Sequence, residues 1–394
     1  MSRYDITTLK SRLNHLKIED NPALVQQKSR DFYWYSPTLK RQLADVNGDA
    51  VVAVTCEQDV IATLAACYTL GIPVTPRGTG TGNYGQAMPL SGGVVLDLSG
   101  FNQVTAIAPG RFISGPGAII EAIDHATRAH SSQECRLHPS TYATASIGGF
   151  IAGGSGGVGS IQWGGLRDWG NIIRLKVVTM EASPRVLELT GADLHKVSHA
   201  YGTNGIITEV EMPLAPAYDW IDVIIGFDGL ERAAAYANML GEQDGLLLKQ
   251  LAVVASPVPH DYFLRHKKFI PREKTIVALM VARHALDALL ALTATVKGAA
   301  VLMNAALLSP EDRKGLPPCF ELGWNHTTLR ALRVDPAITY LQALYPFPNQ
   351  LKVIEAIHRH TRDQQPKESA EQQQRGHAGG QGDGCHPKSP AAKD

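Results

Sequence analysis

The sequence has 394 residues, 44% of them hydrophobic and 19% charged, which is enough for two or three domains with a sizeable core. Lys plus Arg and Asp plus Glu each number 37, giving a formal net charge of +0, and no basic block is present that would neutralise a polyphosphate backbone. Nucleic acid is therefore not an expected partner.

No transmembrane segment is expected, because no uninterrupted apolar run approaches the roughly 18 residues of a membrane span. The best candidate, residues 275–296, is broken by Arg283, His284 and Asp287 and reads as a strand followed by a helix. Residues 1–20 carry charges throughout and lack an apolar h-region, so the expected location is cytoplasmic. Cys56, Cys67, Cys135, Cys319 and Cys385 are scattered and form no C-x-x-C pair. Neither a disulfide framework nor a zinc site is expected from them.

In chain order, residues 1–45 read as an N-terminal helical segment broken by Pro22 and Pro37. The β-branched run "VVAVT" predicts a strand, and the spacing of Val60, Ile61, Leu64, Ala65 and Tyr68 predicts a helix after it. Thr55 and Gln58 form a capping box at its start, and Gly71 follows its end. The short run "IPVT" then completes a β-α-β unit. Further strands are expected at "GGVVLDLS", "RFIS", "IIRLKVVTM" and "GIITEVEMPL", with an amphipathic helix following "RFISGPG". Pro213 and Pro216 mark the end of this first unit.

From Asp219 the order becomes strand (219–227), helix (229–240), strand (248–255), helix, strand (275–282) and helix (284–296). That alternation predicts a smaller α+β domain with helices packed on one face of a sheet. The last expected helix is "NQLKVIEAIHRH", after which residues 363–394 have a low-complexity composition that predicts disorder.

Gly80-x-Gly82-x-x-Gly85 has the spacing of a dinucleotide fingerprint. A Rossmann site needs a helix immediately after those glycines, and "NYGQAMPLSGG" supplies Pro89, Gly92 and Gly93 in its place. What remains is a flexible turn whose successive amides can face an anion, with Arg77 at its entrance.

Three segments in order, "PRGTGTG", "LHPSTYATASIGGFIAGGSGGVGS" and "YGTNGIITEVEMPL", resemble the PCMH-type FAD-binding module of the vanillyl-alcohol oxidase and p-cresol methylhydroxylase superfamily. The nearest branch is that of glycolate oxidase flavoprotein subunits and D-lactate dehydrogenases. The resemblance covers residues 51–213. It implies an α+β protein with a two-part FAD-binding domain over 46–216, a smaller and incomplete substrate domain over 217–362, and the tail from 363.

The same resemblance assigns FAD contacts residue by residue. Pro76, Arg77, Gly78, Thr79, Gly80, Thr81 and Gly82 match the loop that wraps the pyrophosphate. Pro139, Ser140, Ser146, Gly148, Gly149, Gly156 and Gly157 match the segment that runs along the flavin. Gly202, Gly205, Ile206 and Ile207 match the third contact. Some relatives link FAD to a histidine in or near the first loop, where this chain has Asn83 and Tyr84. Noncovalent FAD is therefore expected.

The implied chemistry is oxidation of a 2-hydroxy acid or related alcohol by hydride transfer to the flavin, with an unspecified electron acceptor. It needs a base and, for an acid substrate, a cation. "ELGWNHTTLRALR" offers His326 as general base, with Arg330 or Arg333 as a carboxylate clamp, His326 and Arg330 sharing one helix face. Both side chains also have a structural reading as ordinary helix residues. The tail segment "GHAGGQGDGCHPK", with His377, Asp383 and His386, only loosely echoes a metal-binding motif of such relatives, and no metal is expected from it. The alternative is a flavin-binding subunit without turnover of its own, completed by a partner chain or a homo-oligomer.

Overall fold

The computed structural model describes residues 3–341, 343, 345 and 348–363. The chain divides into two compact units, Met1–Ala343 and Leu344–Asp394. The first is an α+β assembly of three consecutive sheets. His377, Asp383 and His386, and the tail beyond Asp363, lie outside the described residues.

The first sheet has the order β1-β2-β4-β3, from β1 (Lys17–Glu19), β2 (Ala50–Ala53), β3 (Val74–Arg77) and β4 (Val94–Asp97). Strands β2, β4 and β3 are parallel, and β1 closes one edge in antiparallel register. Helices α1 (Ile6–Arg12), α2 (Pro22–Lys28), α3 (Pro37–Gln42) and α4 (Glu57–Thr69) belong to this layer. Val60 and Leu64 of α4 and Leu9 of α1 pack on Val52 and Leu96. The expected β-α-β unit is present, but the capping box is displaced. Helix α4 begins at Glu57, and Asp59 accepts from both the amide (2.9 Å) and the hydroxyl (3.0 Å) of Thr55. A carboxylate one turn into the helix satisfies both donors of Thr55, which leaves no cap for Gln58 to make.

The second sheet is antiparallel, in the order β5-β6-β10-β8-β9, from β5 (Val104–Ala108), β6 (Arg111–Ser114), β8 (Arg174–Val178), β9 (Val186–Thr190) and β10 (Ile206–Pro216). Strand β7 (Gln133–Cys135) pairs with the far end of β10. Helices α5 (Ile120–Ser131), α6 (Ile147–Gly153) and α7 (Ser160–Trp163) complete this layer. Ile120, Ile123, Phe150 and Ile151 share a core with Val210, Met212 and Leu214 of β10.

The third sheet, β12-β13-β11-β14, comprises β11 (Trp220–Phe227), β12 (Leu248–Val254), β13 (Thr275–Ala282) and β14 (Ala300–Asn304). All eight residues of β13 are buried. Val277, Leu279 and Val281 face α8 (Leu230–Gly241) and α10 (Leu286–Thr295), while Ile276, Ala278 and Met280 pack with Phe263, Cys319 and Leu322. A strand covered on both faces explains why "TIVALMVA" is apolar without alternation. Short helices α9 (Val258–Tyr262) and α11 (Pro310–Arg313) precede α12 (Trp324–Val334), and α13 (Gln350–Asp363) belongs to the second unit.

A buried ionic cluster ties the second and third sheets together. Glu134 of β7 receives Lys249 of β12 at 2.7 Å, Trp220 Nε1 of β11 at 3.0 Å, and the Arg128 guanidinium. Asp124 accepts from Arg128 (3.1 Å), Tyr142 Oη (2.9 Å) and the Cys135 amide (2.7 Å). Removing one partner of such a buried cluster leaves an uncompensated charge. Lys249→Met is expected to destabilise the protein by about 3 kcal/mol, read as a lower urea midpoint at unchanged slope. An unaltered midpoint would show that the cluster does not hold the sheets together.

Candidate functional site

A cleft of about 800 Å³ opens where three chain segments converge. Its walls are the end of β3 with the loop Gly78–Gly82, the start of α6 with Ser146, Gly148 and Gly149, and the approach to β10 with Gly202, Gly205, Ile206 and Ile207. Pro76, Arg77, Thr79, Gly80 and Thr81 also line it. Four of the residues proposed from the sequence lie elsewhere. Pro139 carries a carbonyl bonded to His138 Nδ1 at 3.0 Å, Ser140 is buried, Gly156 lies beneath the Trp324 ring, and Gly157 packs on the His138 carbonyl.

The first loop is held at both ends. Leu98 donates its amide to the Arg77 carbonyl (2.8 Å), which continues the β3–β4 ladder, and Phe32 donates to the Gly82 carbonyl (2.7 Å). Between these anchors the amides of Gly78, Thr79, Gly80, Thr81 and Gly82 make no hydrogen bond among the described residues. A run of successive unused amides is an anion-binding surface.

Arg77 does not reach freely into the cleft. Its guanidinium donates to the carbonyls of Arg30 and, at 3.3 Å, Thr79, and it lies against Gly80. Burial pulls its pKa down, while the nearby Asp97 and Asp31 oppose that shift. An arginine remains charged under such a shift, so Arg77 braces the loop from behind while adding positive potential to it.

Two glycines are required by close approach. A Cβ on Gly78 would stand 2.0 Å from Ser146 Oγ, and one on Gly202, whose φ is +80°, would stand 2.3 Å from the Pro76 ring. The three segments therefore meet where a glycine backbone lies directly against a neighbouring segment's side chain. Ser146 is buried and its hydroxyl has no partner, although it is the cap residue of α6. An orphaned hydroxyl beside unused amides fits a ligand rich in acceptor oxygens.

At the cleft's flank, Asn83 is 4% exposed. Its Nδ2 donates to Tyr340 Oη at 2.7 Å, and its Oδ1 accepts from Asn325 Nδ2 of α12 at 3.2 Å. Burial and the neighbouring Tyr84 push the Tyr340 phenol well above its ordinary pKa. Tyr201, which lines the cleft, is also raised by burial and then by Tyr84, and His199 Nε2 lies 2.9 Å from its hydroxyl. His199 and Tyr201 have φ of 62° and 52°, a left-handed backbone unusual for such residues. None of these three hydrogen bonds was predicted from the sequence. The available signal was "NY" directly after the loop and an aromatic directly before Gly202.

The residues proposed for chemistry lie on α12, outside the cleft lining. His326 has a buried Nδ1 without a partner, and burial, then Arg330 and Arg333, push its pKa down to about 4. Arg330 has a side chain only 13% exposed and is engaged by Glu321, through its carbonyl at 3.0 Å and its carboxylate at 2.6 Å. Arg333 is exposed and makes no hydrogen bond or ion pair among the described residues. Helix α12 packs on the 3-10 turn Tyr33–Tyr35, next to the Phe32 amide that anchors the first loop.

Residues 48–188 match the family model of the FAD binding domain. Over that stretch the chain is similar to FAD binding domains. Among curated proteins it is 32% identical over 185 residues to the glycolate oxidase subunit GlcD of Escherichia coli (strain K12), covering 45% of this chain and 36% of that one. To the D-lactate dehydrogenase of Anaerostipes hadrus it is 29% identical over 200 residues, covering 48% and 41%. The matches thus span well under half the length of these relatives, and the relationship is distant. In fold it is similar to alkyldihydroxyacetonephosphate synthase (TM-score 0.67, 14% identity, 84% of this chain and 64% of that one). It is also similar to the 4-ethylphenol oxidase of Gulosibacter chungangensis (TM-score 0.62, 17% identity, 85% and 73%). Among the described residues no helix is long and apolar enough to cross a membrane.

The cleft and the cofactor agree, since FAD presents pyrophosphate oxygens and the cleft presents unused amides and an orphaned hydroxyl. Ser146→Ala is expected to weaken FAD binding about fivefold, the loss of one hydrogen bond worth about 1 kcal/mol. Gly78→Val, which fills the cradle, is expected to abolish it. Fluorescence titration with FAD measures both, with circular dichroism checking that each variant is folded.

Proposed function

We propose that the protein is an FAD-dependent oxidoreductase that holds its FAD noncovalently and oxidises a 2-hydroxy acid or a related alcohol at the carbon bearing the hydroxyl. The supporting observation is the cleft itself, in which three glycine-rich segments far apart in sequence present free amides and the Ser146 hydroxyl to one ligand. When bound, FAD supplies the two-electron acceptor for the hydride.

The chain's own residues then divide the work. The amides of Gly78–Gly82 and Ser146 Oγ hold the phosphates, and Gly202, Ile206 and Ile207 close the opposite wall. Asn83 and Asn325 hold α12 against the first loop, which keeps the substrate side in register with the cofactor side. His326 takes the hydroxyl proton on Nδ1. With a pKa of about 4 it is neutral at pH 7 and free to accept. Arg333 pairs with the carboxylate of an acid substrate. Arg330, bound to Glu321, acts as a positioning residue for His326, one helical turn before it.

The purified protein is expected to be yellow, and its flavin absorbance to bleach anaerobically with a suitable member of a hydroxy-acid and alcohol panel. Colourless protein that takes up no added FAD would sink the whole reading. His326→Gln is expected to lower kcat about 100-fold with KM little changed, within the usual range for a general base. The wild-type rate should hold from neutral pH downward and fall only as the pH drops through about 4, where His326 becomes protonated. Wild-type kcat in His326→Gln would remove His326 from the mechanism and leave FAD binding untouched.

A further inference from the structure

A second cleft, of about 410 Å³, lies between residues 166–172 and the 3-10 turn Gly191–Lys196 that follows β9. It is distinct from the FAD cleft, although the two are close along the chain: Val197 lines the FAD cleft, while Leu194 and Ser198 line this one. Nothing in the oxidoreductase reading requires it.

Three features suggest that it is built for a ligand. Trp169 on its wall is 72% exposed, and the His195 ring meets it edge-on, with centroids 5.5 Å apart and planes at 90°. A large indole left open to water in this way offers a flat apolar face. Ser198 is 2% exposed, and its hydroxyl has no partner in the protein. A buried hydroxyl without a partner is costly, and a ligand in the cleft it lines would supply one. Finally, Arg167 contributes a cation to the wall. The carboxylate of neighbouring Asp168 is already turned to the Gly165 amide at 2.6 Å, so it does not cancel the guanidinium by direct pairing. Buried Leu166 and Leu194 add apolar lining.

We propose that this cleft is a binding site for a small aromatic carboxylic acid. The aromatic ring packs on Trp169, the carboxylate pairs with Arg167, and a polar group on the ring reaches Ser198 Oγ. The inference is independent of the proposed oxidation, because it uses no residue of the FAD cleft.

The test is calorimetric titration of the full chain with 4-hydroxybenzoate, with and without added FAD, and with benzoate and acetate as comparison ligands. The expected result is saturable binding of 4-hydroxybenzoate that is unchanged by FAD. Benzoate should bind about tenfold more weakly for want of the hydroxyl, and acetate should give no saturable heat. Ser198→Ala should remove the advantage of 4-hydroxybenzoate over benzoate, and Trp169→Ala and Arg167→Met should each weaken both by tenfold or more. Absence of saturable binding in the wild-type chain overturns the proposal. So does binding that FAD abolishes, which would place the ligand in the FAD cleft, or binding that survives all three substitutions. Trp169 and Arg167 are exposed, so their variants are expected to fold, and circular dichroism confirms this for each.

Discussion

Strand β10 is the element on which the rest of the first unit depends. It runs eleven residues and pairs with three other strands, β6 and β8 along its sides and β7 at its far end. Ile206 enters the core beneath α4, and Ile207, one residue later, enters the core around α5 and α6. Alternation of side chains along a strand makes this possible, since neighbours point to opposite faces. One strand thus joins the parallel and antiparallel layers. It also begins at the glycine-lined cleft, because Gly205 and Ile206 line that cleft, and it ends at Pro216, four residues before β11.

The charge distribution follows the same line. Glu211 in the middle of β10 is buried, and Arg111 and Arg174 from the flanking strands meet it at 2.8 and 2.9 Å. At the end of β10, β7 brings Glu134 to Lys249 and Trp220 of the third sheet. Isolated buried carboxylates would lose more in hydration than the fold returns, so each is surrounded by several donors. Ion pairs of this kind add less to net stability than apolar packing does. What they enforce is pairing, since a shifted arrangement of the second and third sheets would leave Glu134 and Lys249 buried and unmatched.

Much of this was legible in the sequence, for a physical reason. Strands β2, β4, β8, β10, β11 and β13 are largely apolar runs buried in cores, and their patterns show it directly, while β3 and most of β12 are half-buried. The missed strands β1, β5, β7, β9 and β14 each pair with a single neighbour. "KIE" is three residues long and "VLELT" is half exposed, so each owes its conformation to the neighbour it pairs with. In the cleft, the glycine spacing pointed to backbone that lines it. It could not show that Arg77 turns back to the Arg30 carbonyl, a contact that spans 47 residues.

The polar flank of the cleft was the least legible part, and it has the clearest consequence for how the two sides of the site communicate. Asn83 is 242 residues from Asn325 and 257 from Tyr340, yet its one amide group serves both. An amide can donate and accept at once, which an aliphatic or purely acidic residue cannot do. Asn83 follows Gly82 directly, so its side chain links the first loop to α12. The Phe32–Gly82 hydrogen bond and the contact of α12 with Tyr33–Tyr35 form a second route from the same loop to the same helix. The two routes leave the loop at adjacent residues, Gly82 and Asn83, and end on the same helix. The Gly78–Gly82 loop and helix α12 are consequently tied together, as a site shared between the two would require.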